Sequence, residues 1–199
     1  MSEDPAQEAP YWREWTRGED GLWHRRGARV LVLAGAPGDG PDEVRLLLLR
    51  GHDVDQPQRS WWFTVGGGIG DGEEPAAAAV RELAEETGLL LAAEDLVGPV
   101  VERTAVFDFY ARTCRQDELI YLAWVPAGGP GGREPELSRA GWTAVEQESV
   151  DELRWWRLAD LAAAEAAGVE VFPEGLAGLV AGLLPAWDGV VRRLGRGRG

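Results

Sequence analysis

Glu82, Glu85 and Glu86 stand three and four residues apart in the run AVRELAEETGL. On an α-helix at 100° per residue, that spacing places all three within an arc of about 100°. Glu82 and Glu86 then form an i,i+4 like-charge pair, which is destabilising. All three acids lie near the end of the helix, where its dipole is already negative. Arg81 offsets only part of this repulsion. A bound divalent cation reverses its sign, and hard carboxylate oxygens suit Mg²⁺ or Mn²⁺. For the helix taken alone, an ordinary solvated acidic face is the competing reading. The residues before it favour the metal. Gly66, Gly67, Gly68, Gly70 and Gly72 crowd together there. Glycine permits positive φ and close approach of backbone to a ligand. Such a loop can aim carbonyls at a metal and N–H groups at phosphate.

Segment 67–89 resembles the signature of the Nudix hydrolases, G-x(5)-E-x(7)-REUxEExGU, in which U is aliphatic. Gly67, Glu73, Arg81, Glu82, Leu83, Glu85, Glu86, Gly88 and Leu89 fill every fixed position. A chance match is on the order of 1 in 10⁵. The resemblance implies an α/β/α sandwich with a mixed β-sheet and a loop–helix–loop metal site. It implies that Glu82, Glu85 and Glu86 ligate Mg²⁺, with Mn²⁺ as a substitute, and that the carbonyl of Gly67 is a further ligand. Arg81 orients the glutamates and Glu73 pairs with Arg81, which completes the implied catalytic set. The implied reaction is hydrolysis of a phosphoanhydride in a nucleoside diphosphate linked to another moiety. The metal neutralises the diphosphate and acidifies a water that attacks phosphorus, and a carboxylate takes the proton. Val65 stands where a Pro often precedes the glycines, and Gly70 where an acid is frequent. These departures bear on loop rigidity rather than on catalysis.

Outside this segment, Trp61, Trp62 and Phe63 lead into the glycines. With Gly66 and Gly68 they are candidate substrate-binding residues, an aromatic ring stacking on a nucleobase. Core packing of an alternating strand is the competing role for the aromatics. Glu118, at the opening of a strand over 119–125, is a candidate extra metal ligand or base, against an exposed strand end. Glu134, Glu136, Glu146 and Glu148 compete for the same role. Trp155 and Trp156 are expected to pack against the last helices. Cys114 is expected to be a bystander, since no His lies near it to activate a thiolate. In similar proteins a Pro about 15 residues after the signature marks ADP-ribose hydrolases, and a Tyr at a similar distance marks dinucleoside polyphosphate hydrolases. Thr104, Ala105, Val106 and Phe107 fill that window with neither. Nucleoside triphosphates, nucleotide sugars and ADP-ribose remain as substrates.

The elements that must position these residues read as follows. RVLVLA (29–34) and VRLLLLR (44–50) are expected as buried strands and WWFTV (61–65) as a short one. The helix runs from Pro75, placed in its first turn, to Thr87, with Gly88 as its stop. Ala76, Val80, Leu83 and Thr87 share one face of it. Strands follow near 97–109 and 119–125 with a turn around 111–114, then a loop over 127–141, a strand at 153–158 and a helix over 158–167. Residues 173–194 read as helical, interrupted at Pro185. Interleaved strands and helices make an α/β fold with helices on both faces. Residues 1–27 are expected as an aromatic N-terminal extension, 28–194 as the catalytic domain, and 195–199 as a disordered basic tail.

Composition narrows the chemistry further. The chain has no Lys, so Schiff-base and P-loop lysine mechanisms are excluded. Its 2 His rule out a three-histidine zinc site. One Cys excludes a disulfide framework. The formal net charge of −14 repels nucleic acid and anionic lipid. The expected partner is therefore a small nucleotide, with no nucleic acid and no membrane. A homodimer is compatible with this reading. The acidic start is no secretory signal and no apolar run spans a bilayer, which points to the cytoplasm. Two other functions compete. In a nucleotide-binding sensor on the same fold the signature usually decays, and here it is intact. An isopentenyl diphosphate isomerase resembles a chain with a catalytic Cys before the signature, and here none precedes it.

Overall fold

The strongest strand-formers of the sequence lie at the centre of one mixed sheet. The computed structural model describes residues 12, 14–54, 56–109, 112–127 and 134–198. The strands are β1 (Thr16–Arg17), β2 (Trp23–Ala34), β3 (Arg45–His52), β4 (Ser60–Phe63), β5 (Val65–Gly68), β6 (Val97–Phe109), β7 (Arg112–Val125), β8 (Val150–Arg157), β9 (Val171–Phe172) and β10 (Arg192–Arg198). The helices are α1 (Pro75–Thr87), α2 (Ala144–Ser149), α3 (Leu158–Ala166) and α4 (Leu176–Ala181). The strand order is β10-β6-β7-β2-β3-β4-β9, with β5 on β2 and β8 on β3. β2 runs parallel to β7 over its whole length, and β6 and β7 form an antiparallel hairpin.

Alternation along each strand feeds two cores, one on each face of the sheet. Val30, Val32, Leu47, Leu49, Tyr121 and Ala123 meet Ala78, Ala79 and Leu83 of α1. Leu31, Leu33, Leu46, Leu48, Ile120 and Leu122 meet Leu161 of α3 and Leu176 and Val180 of α4. Helices cover both faces, as an α/β/α sandwich requires.

The sheet divides where the site lies. One edge of β2 pairs with β5 at Gly27–Val30 and with β3 only at Leu33 and Ala34. Past Leu46, β3 diverges and takes β4 as its partner on that edge, from Leu49 to His52. The chain crosses from β4 to β5 at Thr64. An opening between the two halves results.

Four expectations are revised. The segment 173–194, expected as helical up to an interruption at Pro185, is helical over a shorter stretch: α4 spans Leu176–Ala181. The chain then reaches β10, parallel to β6, so the end expected as a disordered tail is a strand through Arg198. The strand segment RRLGRGR carries no apolar periodicity to mark it, and pairing with the edge of β6 decided the outcome. The position between 27 and 28, expected as a boundary, lies inside β2. Finally, β7 begins at Arg112, well before Leu119, because its pairing with β2 and β6 continues to that point.

Candidate active site

α1 forms for local reasons. Pro75 opens it, and Gly88 closes it in the left-handed conformation (φ 75°), donating its N–H to the Ala84 carbonyl at 2.9 Å. Its buried face is not the one the periodicity suggests. Glu82 and Glu86 share it with Ala78, Ala79, Leu83 and Thr87, while Val80 is half-buried. The acidic face is therefore not a solvated one: it lies against the glycine strand β5.

The contacts there are specific. Gly66 (φ 130°) donates its backbone N–H to Glu86 Oε2 at 2.7 Å. A Cβ on Gly67 would lie 2.5 Å from Glu82 Oε2, so only glycine leaves room for that carboxylate. Arg81 fastens the loop to the helix. Its Nε donates to Glu73 Oε1 at 2.9 Å, and its Nη2 to Glu73 Oε2 and to the Gly68 carbonyl, both at 3.0 Å. Its Nη1 donates to Glu82 at 2.7 Å and Glu85 at 3.2 Å. The hydrogen bonds to Glu73 do most to raise the Arg81 pKa above its ordinary value, so its charge is fixed.

Burial pushes the Glu86 carboxyl well up, and neighbouring Glu82 pushes it further, against the Gly66 N–H. Burial also raises Glu82, which Arg81 opposes. Two such carboxylates side by side are what a hard cation stabilises. Carboxylate oxygens of Glu82, Glu86 and Glu146 lie within 4.8 Å of one another. Glu85 is outside that trio, half-exposed and held by Arg81.

Glu146 arrives from far along the chain. The Ser138 N–H bonds to the Thr87 carbonyl at 2.8 Å, and the Trp142 indole N–H to the Glu86 carbonyl at 2.7 Å. This docks the loop against the end of α1. Thr143 then caps α2 reciprocally with Glu146, which turns Glu146 toward the cluster. The T-x-x-E spacing of Thr143 and Glu146 was the available sequence signal.

Glu118 is placed differently from expectation. It is buried at 3% exposure in the middle of β7 and takes hydrogen bonds from Arg29, from Arg103 at 2.9 Å and from Gln116 at 2.8 Å. Burial alone would raise its carboxyl, but the two guanidinium groups outweigh burial and hold it below the ordinary carboxylate value. Committed to three donors, Glu118 is not drawn into the acidic trio.

The divided sheet opens a cavity of about 210 Å³ next to the cluster. Arg25, Arg29, Arg103, Trp61, Phe63 and Phe107 line it. Arg29 joins the two regions: its Nη1 donates to the Thr64 carbonyl at 2.8 Å and to the Gly66 carbonyl at 3.0 Å. Alternation along β4 separates the aromatic trio. Trp61 and Phe63 line the cavity, while Trp62 (5% exposed) packs edge-on against Trp156 at 5.1 Å. Trp156 thus faces the core of the last helices as expected, whereas Trp155 packs on the α1 side and donates to the Pro135 carbonyl. Sequence reasoning missed the arginines. Their signal was weak: Arg25 and Arg29 fall on one face of β2 with Gly27 between them, but His24 and Arg26 adjoin Arg25, and Arg103 follows Glu102 in β6. Cys114 is buried, and burial pushes its thiol up to about 12, so it is no nucleophile.

Comparison with known proteins adds independent findings. The model of the NUDIX domain matches residues 23–174. A NUDIX hydrolase structure from Alicyclobacillus acidocaldarius superimposes with TM-score 0.54 and 16% identity, over 80% of this chain and 91% of that one. The binary complex of an Ap4A hydrolase from C. elegans does so with TM-score 0.50 and 18% identity, over 80% and 97%. At such identities the likeness shows the fold. A protein named octanoyltransferase from Myxococcus xanthus is 44% identical over 69 residues, which are 34% of this chain and 18% of that protein. The match thus spans under a fifth of that relative's length.

Proposed function

This chain belongs to the NUDIX family of phosphoanhydride hydrolases, and from that premise we propose that it cleaves a nucleoside diphosphate linked to another moiety, with Mg²⁺ as its cofactor. The substrate is of nucleoside triphosphate, nucleotide sugar or ADP-ribose type. The observation that carries this reading is the trio Glu82, Glu86 and Glu146, two of them buried and raised in pKa, beside a cavity lined by arginines and aromatic rings. The donor set is all oxygen, which fits Mg²⁺ or Mn²⁺.

Glu82, Glu86 and Glu146 would hold the ion, with the Gly67 carbonyl beside them. When bound, the ion supplies charge neutralisation of the diphosphate and activation of water. The chain's own residues do the rest. Arg81, locked by Glu73, keeps Glu82 and Glu85 in register with the glycine strand. The Gly66 N–H fixes the orientation of Glu86. Arg29 and Arg103 face the anionic part of the substrate from the cavity wall, and Trp61, Phe63 and Phe107 offer faces for a base. A carboxylate of the cluster accepts the proton of the attacking water and returns it to solvent.

The test is a panel of nucleoside triphosphates, nucleotide sugars and ADP-ribose, with formation of the nucleoside monophosphate as readout, in Mg²⁺, in Mn²⁺ and in EDTA. Turnover of at least one compound, abolished by EDTA, is expected. Tight binding of one ligand without turnover of any would replace the hydrolase with a sensor.

A further inference from the structure

The glycine strand has an outer contact that hydrolysis at the glutamates does not use. Glu14, in the segment before β1, lays its carboxylate against Gly68, in the space a Cβ would fill. The same carboxylate pairs with Arg25 Nη1 at 3.5 Å. Arg25 lines the cavity and is held from two other sides. Its Nε and Nη2 donate to Gln116 Oε1 at 2.9 and 2.5 Å, and Trp15 stacks on its Cζ at 4.5 Å. Trp15 in turn is buried edge-on between Trp12 and Phe107.

The four cavity arginines differ in their counter-charge: Arg59 pairs with Glu170 at the half-exposed rim. Arg29 and Arg103 share the buried carboxylate of Glu118. Arg25 has a neutral amide and one long contact to Glu14, whose side chain is 39% exposed. A largely buried guanidinium with so loose a counter-ion gains from a better anion. Phosphate is that anion, because its oxygens match the guanidinium fork as a carboxylate does and carry more charge. The absent side chain of Gly68 lets such a group come close to the backbone.

We propose that Gly68 and Arg25 form an anion subsite for a substrate phosphate beyond the two held at the glutamates, and that Glu14 is its built-in occupant, displaced when substrate binds. This rests on the phosphoanhydride hydrolase reading above. It narrows the substrate to nucleotides with three or more phosphates. Arg25 and Arg29 lie on one face of β2 four residues apart, and their side chains reach β5 two residues apart, Arg25 against the open side of Gly68 and Arg29 on the Gly66 carbonyl, so both guanidinium groups border the glycine strand. Glu14 can swing into water while Trp12 and Trp15 stay buried, so the exchange needs no unfolding.

The experiment compares the full chain with Glu14→Gln and Arg25→Gln. It uses nucleoside triphosphates, nucleotide sugars and ADP-ribose as substrates, and calorimetric titration of inorganic tripolyphosphate with Mg²⁺ as a readout without turnover. Glu14→Gln should lower KM for triphosphates about two- to fivefold at unchanged kcat, the scale of one exposed ion pair. It should tighten tripolyphosphate binding by a similar factor. Arg25→Gln should raise both constants roughly tenfold, as loss of a charge-assisted contact does. Turnover confined to nucleotide sugars and ADP-ribose overturns the proposal, as does a Glu14→Gln protein unchanged in both readouts. A wild type that turns over nothing, yet shows this order of tripolyphosphate affinities, leaves the subsite standing and removes the hydrolase reading. If Arg25→Gln fails to fold, the exposed Glu14 variant decides alone.

Discussion

Glu86 and Glu118 are both buried carboxylates, and their surroundings drive them in opposite directions. Burial and Glu82 raise the Glu86 pKa, so without metal its folded value lies above its unfolded one. The associated stability is present below the ordinary carboxylate value and is lost as pH rises through the raised one. In EDTA, the thermal midpoint of the wild type should therefore fall over that window, and Glu86→Gln should flatten the fall. At neutral pH the variant should match or exceed the wild type in EDTA, gain less from Mg²⁺, and lose turnover by about 10²-fold or more. Near-normal turnover would remove Glu86 from the mechanism. For Glu118, burial is outweighed by Arg29 and Arg103. Its contribution is present above the ordinary carboxylate value and disappears as pH falls through the depressed one. Glu118→Gln leaves two buried arginines uncompensated and should cost about 3–5 kcal/mol, equally in EDTA and Mg²⁺. A loss seen only with Mg²⁺ would restore Glu118 as a metal ligand.

At the scale of elements, β4 shows how alternation assigns roles to adjacent residues of one type. Trp61→Leu should raise KM roughly 5- to 150-fold, the range of one base stack, with little change in thermal stability. Trp62→Leu should do the reverse, since Trp62 packs between the core, Trp156 and the Arg154 guanidinium. Unfolding curves beside steady-state kinetics separate the two, and equal KM for both variants would take base stacking away from this strand. α1 was legible because its Pro75 start, alanine run and Gly88 stop act within one segment. Its buried side was not, because 3.6-residue periodicity assumes that acids face water. Here β5, made of glycines, is thin enough for Glu82 and Glu86 to be buried against it.

For the molecule as a whole, a net charge of −14 surrounds a cavity lined by Arg25, Arg29, Arg59 and Arg103. Such a charge distribution concentrates positive potential in the cavity rather than on the surface. Among the described residues, no helix is long and apolar enough to cross a membrane. Metal binding should be visible globally: at an Mg²⁺ concentration about 100 times Kd, the protein should gain roughly 2.7 kcal/mol over EDTA, read as a rise in thermal midpoint. An unchanged midpoint at saturating Mg²⁺ would speak against a preformed metal site. The sequence by itself determined α1, the α/β class and the family resemblance, which in turn implied the pairing of Arg81 with Glu73, because the signature lies within one segment. Only the tertiary structure decided which distant groups complete the site. Arg25 meets Gln116 across 91 positions, Arg29 meets Glu118 across 89, and the Trp142 contact that delivers Glu146 spans 56. Strand register and the divergence of β3 from β2 fix those meetings, and neither leaves a local trace, because pairing partners in a sheet are chosen by the rest of the chain.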